Sequence, residues 1–217
     1  KRILHAITLS SVGGAQSVVV NLANAQCECN DVYILSSSSC EAWKALDPRV
    51  HIIVVKELRR EISLRDITVL AKMFYWRIKI KPDIIQLHSS KMGMFGRIIY
   101  PKSKTIYTVH GFDSMRVANR KFLLLEKILK NRCRYIVGVS GYDVNNLRTE
   151  GISKNVKLIY NGVRDCSSNS ISGHLEKYLE QFQEIRNKYK RIVIVLVGSQ
   201  TALRPWVRYE IKRAWEL

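Results

Sequence analysis

Four groups of residues in this chain have types and positions suited to chemistry, and each follows a run that reads as a β-strand. Gly13 and Gly14 come after the apolar run around Ile3 to Ile7 and open a helical stripe of Val18, Val19, Leu22, Ala23 and Ala25. A glycine pair leaves no Cβ between backbone amides and a ligand, and the following helix points its positive end into the same space, which suits an anionic group such as phosphate. The same pair also serves any α/β unit that must reverse its chain, so the loop by itself leaves both readings open. His88-Ser89-Ser90-Lys91 end a strand at Asp83–His88, and His110-Gly111-Phe112-Asp113 end another at Thr105–Val109. Both clusters combine an imidazole with donors and acceptors that can hold a polar ligand, although a solvated loop is an equal rival for His88 to Lys91. Ser140 ends the strand Tyr135–Val139, and it also reads as a simple helix N-cap.

Several other chemistries are disfavoured. The dinucleotide fingerprint of three spaced glycines is absent, and the second strand, Val32–Leu35, ends in four serines where an acidic residue would hold a ribose. The five cysteines form no Cys-x-x-Cys and have no histidine pair beside them, so no metal site is expected and a reducing compartment fits. No helix-turn-helix, zinc-finger or RNA-binding signature accompanies the basic charge, and nucleic acid is not an expected partner.

The elements that would position these groups alternate, strand then helix, as far as Val163. That pattern predicts a Rossmann-like α/β domain with a parallel sheet covered by helices on both faces. The expected order continues with strands near Val32–Leu35 and Val50–Val55, helix Leu64–Lys79, strand Asp83–His88 and a short helix Met92–Ile99. It closes with strand Thr105–Val109, a long basic helix over Arg116–Arg134, strand Tyr135–Val139, helix Tyr142–Glu150 and strand Val156–Tyr160. In an open parallel sheet ligands bind outside the carboxyl ends of the strands, which is where the four polar clusters fall. Residues 1–163 thus read as one domain and 164–173, small and polar, as a linker. Residues 174–217 read as the incomplete start of a second domain with a divergent tail.

With 47% hydrophobic residues the chain can bury a sizeable core, and no apolar run approaches the ~20 residues that span a bilayer. The amino end carries Lys1 and Arg2 with no apolar block behind them, so a cytoplasmic protein is expected. The net charge of +18 calls for an anionic partner. Basic residues interleave with apolar and aromatic ones over Lys72–Lys81 and Arg116–Arg134, a composition suited to the anionic inner face of a membrane and also to a solvated helix over a core stripe.

The segments LHAITLSSVGGAQSVVVNLAN, PDIIQLHSSKMGMFGRI, TIYTVHGFDS, YIVGVSGYDVNNL and VKLIYNGV, in that order, resemble the amino-terminal domain of bacterial GT-B glycosyltransferases of family 4. The resemblance implies the acceptor-side half of a two-domain enzyme that transfers a sugar from a nucleotide diphosphate donor, UDP-linked, with retention of configuration and without a metal or other cofactor. By the same resemblance Gly13 and Gly14 would lie against the donor diphosphate, and His110 would be the catalytic histidine touching the donor sugar or phosphate. His88, Ser89, Ser90 and Lys91 would face the acceptor, and Asn161 and Gly162 would form the interdomain crossover.

The chain departs from the family in its last quarter. Glu176 and Glu184 have the spacing of the family's donor-gripping pair but precede the strand-like run Arg191–Gly198, and they read as a coincidence on an exposed helix. The expectation is therefore a truncated, inactive glycosyltransferase of cell-surface polysaccharide or lipid-linked oligosaccharide synthesis, with a lipid-linked or saccharide acceptor. The rival from another class is a non-enzymatic, membrane-associated binding module of the same fold. A sugar-nucleotide epimerase, which also uses two facing Rossmann-like domains, lacks recognisable acidic residues here.

Overall fold

The computed structural model describes residues 1–9, 13–38, 41–116 and 120–162. Within them Lys1–Asn161 forms one compact unit. Its centre is a seven-stranded sheet of order β3-β2-β1-β4-β5-β6-β7. The strands are β1 (Arg2–Ala6), β2 (Asp31–Ser36), β3 (His51–Val54), β4 (Ile84–Leu87), β5 (Thr105–Val109), β6 (Tyr135–Gly138) and β7 (Val156–Leu158). Every neighbouring pair is parallel. The helices are α1 (Gly14–Gln26), α2 (Asp66–Ile80), α3 (Ser90–Ile99), α4 (Asp113–Arg116), α5 (Arg120–Leu129) and α6 (Gly141–Thr149).

Alternate residues of β1 divide the core, because successive side chains on a strand point to opposite faces. Ile3 and Ile7 join Val19, Val20 and Ala23 of α1 in one apolar cluster, whereas Leu4 and Ala6 join Met73 of α2 and Met92 and Phe95 of α3 in the other. The expected Rossmann-like α/β sheet is therefore present. Its chain order runs outward from β1 to β3 and then returns to add β4 on the other side of β1, which makes the β1–β4 boundary the switch point where a crevice must open.

Some boundaries differ from those the sequence predicts. Helix α3 begins at Ser90, because the Ser89 hydroxyl accepts from the Met92 amide and caps it, so Ser90 and Lys91 form a helical turn instead of a loop. The basic helix expected over Arg116–Arg134 is described as α4 and α5, with α5 ending at Leu129. Past that end the Asn155 side-chain amide donates to the carbonyls of Lys130 and Cys133, both at 3.1 Å, which supports a turn there in place of further helix. The expected linker at 164–173 and second domain at 174–217 lie outside the described residues.

Helix α3 sits unusually close to the sheet. A Cβ added at Gly93 would lie 2.3 Å from the Tyr107 ring on β5, so only glycine permits this approach. Farther along, the buried Arg97 donates to the Gly93 carbonyl and pairs with Glu126 of α5 at 2.6 Å, its guanidinium lying over the Tyr107 ring. The pair ties α3 and α5 together behind the crevice.

Candidate active site

A cleft of about 330 Å³ opens at the carboxyl edge of the sheet around the switch point. Its walls come from the ends of β1 (Thr8, Leu9), β4 (His88, Ser89) and β5 (Val109, His110, Gly111), from the start of α1 (Ala15, Gln16), and from Arg60 on the connection before α2. His88, Ser89, Ser90, Lys91 and His110 all line this one space.

Their roles in it differ. Ser89 caps α3, and its hydroxyl lies 2.6 Å from that of Thr8, stitching the β1 end to the β4 end. The Lys91 ammonium is buried, paired with Asp66 at 2.6 Å and donating to the carbonyls of Arg59 and Glu61. It thereby holds the 59–66 connection against the cleft, and with it Arg60. His88 is buried between two other imidazoles, within 3.2 Å of His110 and 3.0 Å of His5. His5 in turn lies 2.7 Å from the Gln26 side-chain carbonyl at the end of α1.

Burial holds all three histidines neutral. It lowers His5 to about 4, against a partial opposing effect of the Gln26 hydrogen bond. It likewise takes His110 down to about 4. His88 lies well below the ordinary histidine value, first through burial and then through the neighbouring imidazoles. At neutral pH the cleft therefore presents an uncharged imidazole at His110.

The turn that carries His110 is fixed from α6. Gly111 takes a φ of 99°, a conformation that favours glycine. The next amide, Phe112, donates to Asp143 Oδ1 at 2.7 Å, while Asp143 Oδ2 accepts from the Ser140 hydroxyl that caps α6. Ser140 is thus a cap, and through Asp143 it also supports the His110 turn. Gly13 is the N-cap of α1 with no side-chain capping bond, and a Cβ at Gly14 would meet nothing within 4 Å, so the glycine there answers to no packing demand among the described residues. Asn161 and Gly162 are exposed, on either side of the boundary at which the compact unit ends.

Sequence reasoning missed two participants. His5, a lone histidine in a buried strand, was visible as a polar residue amid apolar ones, but only the parallel register that sets it opposite Gln86 brings it beside His88. Arg60 belongs to no motif and faces the cleft only because Lys91 holds its loop there. Among the described residues no group of three His, Cys, Asp or Glu is placed to hold a metal.

Comparison with known proteins bears on the family and the fold. The family model described as Glycosyltransferase Family 4 matches residues 12–165. A second model, described as Thoeris protein ThsB, TIR-like domain, matches residues 140–217, less than half of the chain, from the end of the first domain through the stretch 174–217 expected to open a second one. An Escherichia coli UDP-Gal:alpha-D-GlcNAc-diphosphoundecaprenol alpha-1,3-galactosyltransferase is 30% identical over 137 residues, which cover 59% of this chain and 35% of that enzyme. The structure of Anabaena HepE in complex with UDP and glucose superposes with a TM-score of 0.65 at 18% identity, covering 82% of this chain and 49% of that one. A glycosyltransferase from Rickettsia africae superposes with a TM-score of 0.60 at 18% identity, covering 84% and 49%. The chain thus spans about half the length of these solved structures or less of the curated relative. With the family model matching most of its length and the parallel sheet matching GT-B structures, the chain belongs to Glycosyltransferase Family 4 and carries that family's amino-terminal Rossmann-like domain.

Proposed function

We propose that the cleft is the acceptor-side half of a retaining, nucleotide-sugar-dependent glycosyl-transfer site serving cell-surface polysaccharide or lipid-linked oligosaccharide synthesis. The observation that carries this reading is the convergence of His110, Ser90, Arg60 and the α1 N-terminus on one space at the switch point. Arg60 and the first amides of α1, beside Gly13 and Gly14, would meet diphosphate charge. His110, neutral and at a strand end, would contact a sugar, and Ser90 would contact the acceptor. The Escherichia coli relative is named for a UDP-linked donor and a diphosphoundecaprenol-linked acceptor, and the Anabaena structure holds UDP and glucose, which supports the same substrate classes here.

The acceptor's lipid would lie at an anionic membrane surface. Among the described residues no helix is long and apolar enough to cross a membrane. Helix α2 instead exposes Ile67, Phe74, Tyr75 and Ile78 among its basic residues, and α5 exposes Leu124, Leu125 and Ile128. Such mixed apolar and basic faces suit peripheral association.

The test is titration of the purified chain with a short-chain polyprenyl-diphosphate-linked N-acetylglucosamine and with UDP-galactose, read by calorimetry and by product analysis. UDP-galactose binding weakened at least tenfold by Arg60→Glu and acceptor binding weakened by Ser90→Leu support the reading, and acceptor binding without transfer makes the chain a binding module. UDP-galactose affinity unaffected by both Arg60→Glu and His110→Ala, with acceptor affinity unaffected by Ser90→Leu, would overturn it.

A further inference from the structure

Behind the cleft, Gln26, His5, His88 and His110 form an unbroken line of side chains from the end of α1 to the sugar-facing wall. The steps are 2.7 Å from Gln26 Oε1 to His5 Nε2, 3.0 Å from His5 Nδ1 to His88 Nε2, and 3.2 Å from His88 Nδ1 to His110 Nε2. His5 and His88 are buried, and each uses both ring nitrogens within the line. We propose that Gln26, His5 and His88 are positioning residues that lock the tautomer of His110, so that it offers the cleft a bare Nδ1 that accepts from a sugar hydroxyl and cannot donate to a phosphate oxygen.

The argument is one of counting protons. A carbonyl oxygen only accepts, so His5 must carry its proton on Nε2 and donate it to Gln26. A neutral imidazole has one N–H, which leaves His5 Nδ1 bare and requires His88 to donate from Nε2. His88 Nδ1 is then bare, and His110 must donate from its own Nε2. One proton occupies each junction, every bond points towards α1, and His110 Nδ1 is left as an acceptor. Adding a proton to His5 or His88 would set two N–H groups against each other, and burial keeps all three rings neutral, His110 included. Bonds aligned in one direction polarise each other, so the orientation set at Gln26 is carried along the line.

This inference rests on the reading of His110 as a sugar-facing group, but its test reads the ring protons themselves. Long-range proton–nitrogen correlation spectra of the 15N-labelled chain at pH 7.5, assigned through single histidine substitutions, should show protonated Nε2 and bare Nδ1 in His5, His88 and His110 alike. Gln26→Leu removes the terminal acceptor and should shift His110 to a mixture of tautomers, whereas Gln26→Glu, whose carboxylate accepts where the Gln26 carbonyl does, should keep the wild-type pattern. A protonated Nδ1 on His110 in the wild-type chain would overturn the proposal, as would a His110 signal unchanged in folded Gln26→Leu. The expected tautomers without any acceptor binding would leave the relay standing and sink the transfer reading.

Discussion

Asp143, in the first turn of α6, accepts the Phe112 amide at 2.7 Å and thereby fixes the turn that presents His110 from the neighbouring strand. Asp143 is buried, and its other oxygen accepts from the Ser140 hydroxyl, so both carboxylate oxygens are engaged. Asp143→Ala should leave the Phe112 amide without an acceptor and destabilise the fold by about 1–3 kcal/mol. Hydrogen exchange at Phe112 should quicken more than at residues of β1. Unchanged exchange at Phe112 would show that the turn holds itself.

The three neutral histidines make stability depend on pH. Their folded values lie below the ordinary 6.5, so the unfolded chain binds more protons as pH falls. Stabilisation is complete above pH 6.5 and is lost as pH falls towards 4. For His5 the interval corresponds to about 3 kcal/mol. Urea midpoints measured from pH 7.5 down to 4.5 should drop steeply, and less steeply in His5→Gln. Equal slopes for both proteins would contradict the burial of a neutral His5.

Arg97 and Glu126 form a buried pair between α3 and α5 at 2.6 Å. Removing one partner strands a buried charge, so Glu126→Ala should cost about 3–5 kcal/mol. The double change Arg97→Met with Glu126→Leu should cost much less, because no charge remains to be desolvated. Urea unfolding of the two variants decides the matter, and equal losses would mean that packing dominates over charge.

Gly93 limits how close α3 lies to β5. Gly93→Ala sets a methyl against the Tyr107 ring, which is itself buried, and should destabilise by about 1–3 kcal/mol. Adding Tyr107→Leu to Gly93→Ala should recover part of the loss. A Gly93→Ala thermal midpoint equal to that of the wild type would mean that α3 can lift without cost.

Leu124 and Ile128 are one helical turn apart on α5 and exposed. If this face meets anionic lipid, Leu124→Glu with Ile128→Glu should abolish sedimentation with anionic vesicles while leaving the unfolding free energy within about 0.5 kcal/mol of its original value. Wild-type binding should also weaken as salt is raised. Equal sedimentation of the double variant would place the contact elsewhere.

The sequence by itself determined the sheet and the location of the cleft. The apolar runs, the helical stripes and the polar residues that follow each strand are local patterns, and a parallel sheet needs only those patterns in alternation to bring His88 and His110 to one edge. What the tertiary structure decided was the use of each residue. Lys91 resembles a ligand group in sequence but is consumed by Asp66 and two carbonyls, because the 59–66 connection folds back over α3. His88 reads in sequence as an acceptor-side group or a solvated loop residue, and it lies in the middle of a buried line because register sets β1 beside β4 and brings His5 within 3.0 Å. Ser140 kept its expected cap and gained a second role through Asp143. Hydrophobic periodicity encodes which face of an element is buried, but hydrogen-bond partners 83 residues apart depend on strand order and register, and no local pattern specifies those.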